Sequence, residues 1–365
     1  MPDLTLEDIA KQAGVSRSTV SRVINGQPYV KNEVRERVLR LIQETGFHPN
    51  LAARALASQR SWMIGLVLPR SVSSFFTDPY FPRLTQGIAQ ACNQHNYTLG
   101  LFLVGTLEDE EKILPRVSRK GFMDGILVQS GQIGDYLIDR LVNTNIPLVV
   151  AGRPFHASDT SYDGIYDVSY IDVDNVKAAY QAVSHLIQLG YRRIGTITGI
   201  IDSTASLDRK EGYLKALVEH GLGVDKALIA EGDFSEAGGY RGMQQLLPAR
   251  PEAVFAASDV TALGAMRLAR EAGLRIPEDI AFVGFDDLPL ATQAEIKLTT
   301  VHQPILQFGA KAADTLIDLI ENGIRPPRRI IMETELIIRE SCGASLKSAE
   351  KAKLENIHDY GTALR

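Results

Sequence analysis

Two sets of residues in this chain have types and settings suited to chemistry, and both suit binding rather than turnover. The first is Arg17, Ser18, Thr19, Ser21 and Arg22, two guanidinium groups and three hydroxyls on one short helical stretch. Such a face supplies donors and acceptors for base edges and phosphates in a DNA major groove. The second set is scattered: Ser130, Arg153, Asp233, Phe234, Ser258, Asp259, Asp286 and Asp287 each stand at or just past the end of an apolar run that reads as a β-strand. Ligands of open α/β sheets bind beyond the carboxyl ends of the strands. Carboxylates and arginines placed there take hydroxyl groups by charge-assisted hydrogen bonds, and aromatic rings cover the apolar side of a sugar.

Signatures of catalysis are missing. The sequence has no G-x-S-x-G elbow, no Walker loop, no H-E-x-x-H and no G-x-G-x-x-G after its first strand. Seven histidines show no clustering, and Cys92 and Cys342 are too far apart for metal-ligand spacing. The expectation is a binding protein with no catalytic residue, no metal and no cofactor, and with its two cysteines as reduced thiols.

The first set needs a scaffold, and residues 5–25 supply it. Leu6, Ile9, Ala10 and Ala13 recur at helical spacing, as do Val15, Val20, Val23 and Ile24. Thr5 is placed as an N-cap with Asp8 at the capping-box position, and Ser16 caps the second helix. Gly14 stands in the turn, where positive φ is needed. A third helix is expected over about Asn32 to Thr45, with Val34, Val38, Leu41 and Ile42 inward. Lys31 is a poor cap for it, and Asn32 offers a replacement one residue on. Gly46 ends this helix and Phe47-His48-Pro49 breaks the chain.

The run VSRSTVSRVING resembles the DNA-binding head of the lactose-repressor and galactose-repressor family of bacterial transcription regulators. Downstream motifs agree with the resemblance in order and spacing over nearly the whole chain. It implies that Thr5 and Ser16 position the backbone on operator DNA, with Asn25 also at the interface. The octet 50–57 is too short for a stable isolated helix. The resemblance makes it a hinge helix that pairs with its twin and enters the minor groove, with Leu56 as the wedge, Arg54 as the basic residue, and Asn50 and Ala53 beside them. A plain linker helix is the alternative.

From Ser61 the pattern alternates β and α. Apolar runs at MIGLVLP, LGLFLVGT, GILVQS, PLVVAGR, RIGTITG, ALIAEGD, AVFAASD and IAFVGFDD are too continuous for one-sided strands and fit a parallel sheet covered on both faces. Such a length exceeds one comfortable core, so two similar subdomains are expected. The fold is thus an all-helical helix-turn-helix head followed by a two-lobed, doubly wound parallel α/β body, which the resemblance makes a periplasmic-binding-protein type with three chain crossings, placed near Ile171, Thr300 and Ile330. The domains expected are the head at 1–48, hinge and linker at 49–60, and the body at 61–343. Within the body the N-lobe takes about 61–171 and 301–330, the C-lobe about 172–300 and 331–343. The charged tail 344–365 has no sustained heptad.

Charge is uneven. Residues 1–60 hold nine Lys/Arg against six Asp/Glu, while the remainder holds 30 against 38, so a slightly basic head precedes an acidic body. No apolar run reaches membrane-spanning length, and the first residues lack the pattern of a signal peptide. A cytoplasmic, nucleoid-associated protein without a membrane partner is expected.

The resemblance also assigns the effector site. Arg209 in RKEGY reaches the effector, Phe234 stacks on it and Asp286 in GFDD contacts it. Tyr80 and Phe81 line the site from the first lobe, Arg153 and Gln303 lie near it, and Ser258 replaces the asparagine of some sugar-binding relatives. Plainer roles stay open: Asp259 as cap of the following helix, Asp286 and Asp287 as turn caps, Arg209 paired with Asp208 or Glu211, Phe234 as core, and Tyr80 and Phe81 packed under their own loop. The function implied is a homodimeric regulator, a repressor in most relatives, that binds pseudo-palindromic double-stranded operator DNA under control of a small molecule. A sugar is the expected effector, and FFTDPYF favours a glucoside or oligosaccharide. A nucleobase effector, a phosphoprotein input and a sugar-transport component are the alternatives.

Overall fold

The computed structural model describes residues 4–24, 27–47, 60–69, 71–119, 121–129, 136–154, 168–323 and 326–348. Asn25, Asn50, Ala53, Arg54, Leu56 and Ser130 lie outside the described residues, as does nearly all of the hinge segment 49–60. Two compact units divide the chain, Met1–Trp62 and Met63–Arg365.

Among its described residues the first unit holds three helices, Leu6–Ala13, Arg17–Ile24 and Asn32–Thr45, which form the head. Thr5 Oγ1 accepts from the Asp8 backbone N–H at 3.3 Å while Thr5 N donates to Asp8 Oδ2 at 2.9 Å, completing the capping box. Gly14 has φ 63°, the left-handed turn between the first two helices. Ser16 Oγ accepts from Thr19 N at 3.2 Å and caps the second helix. The third helix differs from expectation. Lys31 is its N-cap and makes no side-chain cap bond, and Asn32 is already helical, so no replacement cap forms. Phe47, expected only as part of a breaker, is buried against the core built by Ile9, Val20, Val23 and Val38.

Among its described residues the second unit holds two six-stranded sheets. One contains β1 (Met63–Leu68), β2 (Thr98–Leu103), β3 (Gly125–Gln129), β4 (Leu148–Ala151), β5 (Ser169–Val173) and β11 (Arg329–Met332) in the order β11-β5-β4-β3-β1-β2, all parallel. The other contains β6 (Ile194–Ile197), β7 (Ile229–Ala230), β8 (Ala253–Ala256), β9 (Ala281–Asp286), β10 (Thr299–His302) and β12 (Glu335–Ile337) in the order β12-β10-β9-β8-β6-β7. Among the described strands only β12 runs antiparallel to its neighbour. All eight apolar runs read from the sequence are strands. β5, β10, β11 and β12 were not among those runs, because they are short and carry polar residues.

The chain passes between the sheets at Asp174, at Gln303–Pro304 and at Glu333–Thr334. Ile171, Thr300 and Ile330 lie inside β5, β10 and β11, so each crossing comes a few residues later than expected. Neither lobe is a continuous stretch of chain. Close helix packing explains several glycines. A Cβ on Gly87 would overlap the Leu306 carbonyl and one on Gly309 the Leu84 carbonyl, so helices Tyr80–Gln94 and Ile305–Asn322 meet backbone to backbone. Gly239 and Gly264 do the same for helices Glu236–Leu246 and Asp259–Glu271, against the Thr261 and Glu236 carbonyls.

Candidate binding sites

A cavity of about 730 Å³ opens where strand ends of the two sheets face each other. Its walls come from the segment after β1 (Ser74, Tyr80, Phe81), the end of β3 (Gln129), and the segments after β6, β7, β8 and β9 (Ser203, Phe234, Ser258, Asp286), with Arg209 below. The aromatic stretch after β1 was expected as a loop. It forms the helix Val72–Thr77, capped by Ser71 through Ser74 N at 3.1 Å, and then Tyr80–Gln94.

The floor is charged and buried. Arg209 is 6% exposed and Asp286 5%. Arg209 Nη1 lies 3.7 Å from Asp286 Oδ1 and donates to the Ala257 carbonyl, its Nε donates to Asn175 Oδ1 at 2.8 Å, and its guanidinium stacks 3.5 Å from the Phe285 ring centre. It pairs with neither Asp208 nor Glu211. Asp286 Oδ1 also accepts from Gln303 Nε2 at 2.5 Å. Burial pushes the Asp286 carboxyl up to about 7, opposed by the Arg209 charge. Asp172, on the other sheet, is pushed up to about 6 by burial.

Three residues here hold backbone conformations that side chains rarely adopt: Phe234 at φ 65°, Asp286 at φ 115° and Asp287 at φ 56°. Such conformations cost about 1–3 kcal/mol each and persist where the surroundings fix them. For Phe234 the fixing contact is Gly199, whose Cα the ring covers so closely that any Cβ would overlap it. Its ring remains part of the cavity wall.

The other expected residues fall as follows. Tyr80 lines the cavity, and burial raises its hydroxyl pKa. Phe81 lines it too, while stacking on Phe75 at 6.5 Å between ring centres, so it serves both readings. Ser258 lines the cavity, but its hydroxyl is engaged as the cap of helix Asp259–Glu271, accepting from Thr261 N at 3.1 Å. Asp259 is therefore not the cap. It is the first helical residue, and its buried carboxylate accepts from Leu288 N at 2.7 Å and Thr300 Oγ1 at 2.5 Å. Asp287 caps no turn through its side chain but pairs with Arg339 at 2.5 Å and His302 at 2.9 Å. Gln303 lines a smaller compartment of about 70 Å³ behind the first. Arg153 lines neither; its guanidinium pairs across the lobes with Asp208 at 2.5 Å, and its carbonyl accepts from Thr204 Oγ1 at 3.1 Å. Gln129 and Asn175 are among the lining residues that were not singled out from the sequence. Gln129 has a buried Oε1 with no hydrogen-bond partner, and its signal was a polar side chain closing the apolar run of β3. Asn175 gave no signal beyond helix-start chemistry.

On the head, Arg17, Ser18 and Arg22 are exposed, Thr19 and Ser21 partly buried. Ser16 Oγ lies 2.8 Å from both Ser18 Oγ and Thr19 Oγ1. Thr5 Oγ1 donates to Asp8 Oδ2 at 2.6 Å, so its hydroxyl proton is committed to the cap.

Fold and sites together define a helix-turn-helix DNA-binding head carried on the same chain as a two-lobed body of the ligand-binding type. Residues 5–50 match the bacterial regulatory proteins of the lacI family, and residues 183–342 the periplasmic binding protein-like domain. The chain is 38% identical to the HTH-type transcriptional regulator CelR of Thermobifida fusca, over 92% of this chain and 98% of that protein. Among solved structures it is similar to a CelR–cellobiose complex, with a TM-score of 0.72 at 36% identity, covering 93% of this chain and 99% of that one. It is also similar to the lac repressor dimer bound to operator and the anti-inducer ONPF, with a TM-score of 0.77 at 25% identity and the same coverage. The chain belongs to the LacI family and is a transcriptional regulator of the helix-turn-helix type, not an enzyme.

Proposed function

We propose that the protein is a homodimeric repressor acting in the cytoplasm on a pseudo-palindromic operator, with a glucoside or small oligosaccharide as effector. The observation that carries the effector reading is the cavity floor, where a buried Arg209–Asp286 pair faces a volume within the usual ligand range of about 300–1,000 Å³. Arg209 donates to sugar hydroxyls, Asp286 accepts from them, and Gln129 Oε1 takes a further hydroxyl. Phe234 covers the apolar ring face, with Tyr80, Phe81 and Ser258 shaping the walls, Gln303 holding Asp286 from the compartment behind, and Ser130 assigned as a further effector contact. Arg153 serves as an interlobe clamp and not as a contact. The relative solved with cellobiose supports a disaccharide. On the head, Arg17 and Ser18 set operator choice and Arg22 holds phosphate. The effector shifts operator affinity only by its differential affinity for two lobe orientations, read out through the hinge segment with Arg54 and Leu56.

Calorimetry of the full-length protein with cellobiose, glucose and hypoxanthine tests this, paired with fluorescence anisotropy on a palindromic duplex selected from a random pool. Binding of cellobiose together with a change in operator affinity is expected. Binding of hypoxanthine alone transfers the site to a nucleobase. Operator binding that ignores all three moves the input to a protein partner.

A further inference from the structure

We propose that Asn175 is a positioning residue that, through Arg209 and Asp286, ties two of the three inter-sheet crossings to the cavity floor. Asn175 directly follows the first crossing and is 2% exposed. Its Nδ2 donates to Asp172 Oδ1 at 3.2 Å on β5, and its Oδ1 accepts from Arg209 Nε at 2.8 Å in the other lobe. Arg209 faces Asp286 at 3.7 Å, and Asp286 accepts from Gln303, the residue at the second crossing, at 2.5 Å. A buried polar chain Asp172–Asn175–Arg209–Asp286–Gln303 therefore runs from one sheet to the other and joins both crossings beneath the cavity.

Every member is at most 8% exposed, so none can exchange its partner for bulk water without a rearrangement. Leaving a buried charged group short of one partner is costly, which favours movement of the chain as a unit. The third crossing is built differently. Glu333 meets Lys177 at 3.8 Å with side chains 91% and 55% exposed, a kind of pair that contributes little. A group that engages Arg209 or Asp286 is thus registered at the first and second crossings together, while the third follows passively.

The test is hydrogen exchange on the full-length, ligand-free protein, which does not depend on the effector reading. Asn175→Ala should accelerate exchange over residues 299–306, a segment Asn175 does not bond, by about fivefold, the effect of losing one hydrogen bond's worth of local stability. Residues 331–337, at the third crossing, should be unchanged. Acceleration confined to 170–178, or equal at all three crossings, would overturn the inference. Should that variant not fold, Gln303→Met is read at 170–178 with the same criteria. A second arm rests on the proposed effector: cellobiose should change operator affinity less in Asn175→Ala than in the unaltered protein. If the unaltered protein ignores cellobiose, the effector reading fails, and the exchange experiment still decides this one.

Discussion

Asp286 sits at φ 115° with its carboxylate buried between Gln303 and Arg209. Its folded pKa of about 7 and that of Asp172 near 6 both exceed the unfolded value of about 3.9. The folded state therefore holds these protons more tightly. Their contribution to stability is complete below about pH 4 and is lost as pH rises through 6 to 7. A sugar hydroxyl that donates to Asp286 is held more strongly by the ionised carboxylate than by the neutral acid, so cellobiose should bind more tightly at pH 8 than at pH 6, with proton release near pH 7. Calorimetry in two buffers of different ionisation enthalpy checks both, and a flat profile would remove Asp286 from the contact set. Asp286→Ala should abolish the operator response to cellobiose while operator binding persists in anisotropy. Much at this scale was legible: the capping box at Thr5 and Asp8, and the strand-end position of Asp286. Ser258 rather than Asp259 became the cap; adjacent Ser and Asp are equally good caps, and only the register of the helix start chooses between them. Gln129 escaped notice because burial of one amide oxygen is a property of the assembled lobes.

Helix starts and helix contacts carry the next predictions. Lys31 leaves the third head helix without a side-chain cap, so Lys31→Ser should stabilise the head by about 1 kcal/mol. Chemical denaturation followed by head-specific NMR signals measures this; no change would mean that the first-turn N–H groups are already well satisfied. Gly264→Ala places a methyl on the Glu236 carbonyl, and overpacking of this kind costs about 1–3 kcal/mol or more when backbone must move. Its thermal midpoint should fall clearly, whereas Gly221→Ala, which meets nothing within 4 Å, suffers only the strain of its φ of 72°. The strands that periodicity found were those with long apolar runs, such as β1 and β9. β5, β10, β11 and β12 lie at the crossings, where Ser169, Asp172, Thr299, Thr300 and Glu335 interrupt the pattern. Their strand character comes from the neighbours they pair with, which a single sequence does not display.

For the whole molecule, the division into a head and a larger unit leads us to expect separable ligand effects on stability. Cellobiose at a hundred times its Kd should stabilise the body by about 2.7 kcal/mol and leave the unfolding of the head unmoved. Differential scanning calorimetry with and without the sugar tests this, and an equal shift of both transitions would contradict independent units.

The discontinuous lobes also bear on how the chain is made. The three helices of the head are complete by Thr45, early in synthesis. One sheet still waits for its edge strand at 329–332, and the other for its edge at 335–337. At about 5–20 residues per second the ribosome leaves an interval of roughly 15–60 s in which a finished DNA-reading module trails an unclosed sensor. Open sheet edges are exposed to wrong pairing during that interval, so their protection bears on the yield of working regulator.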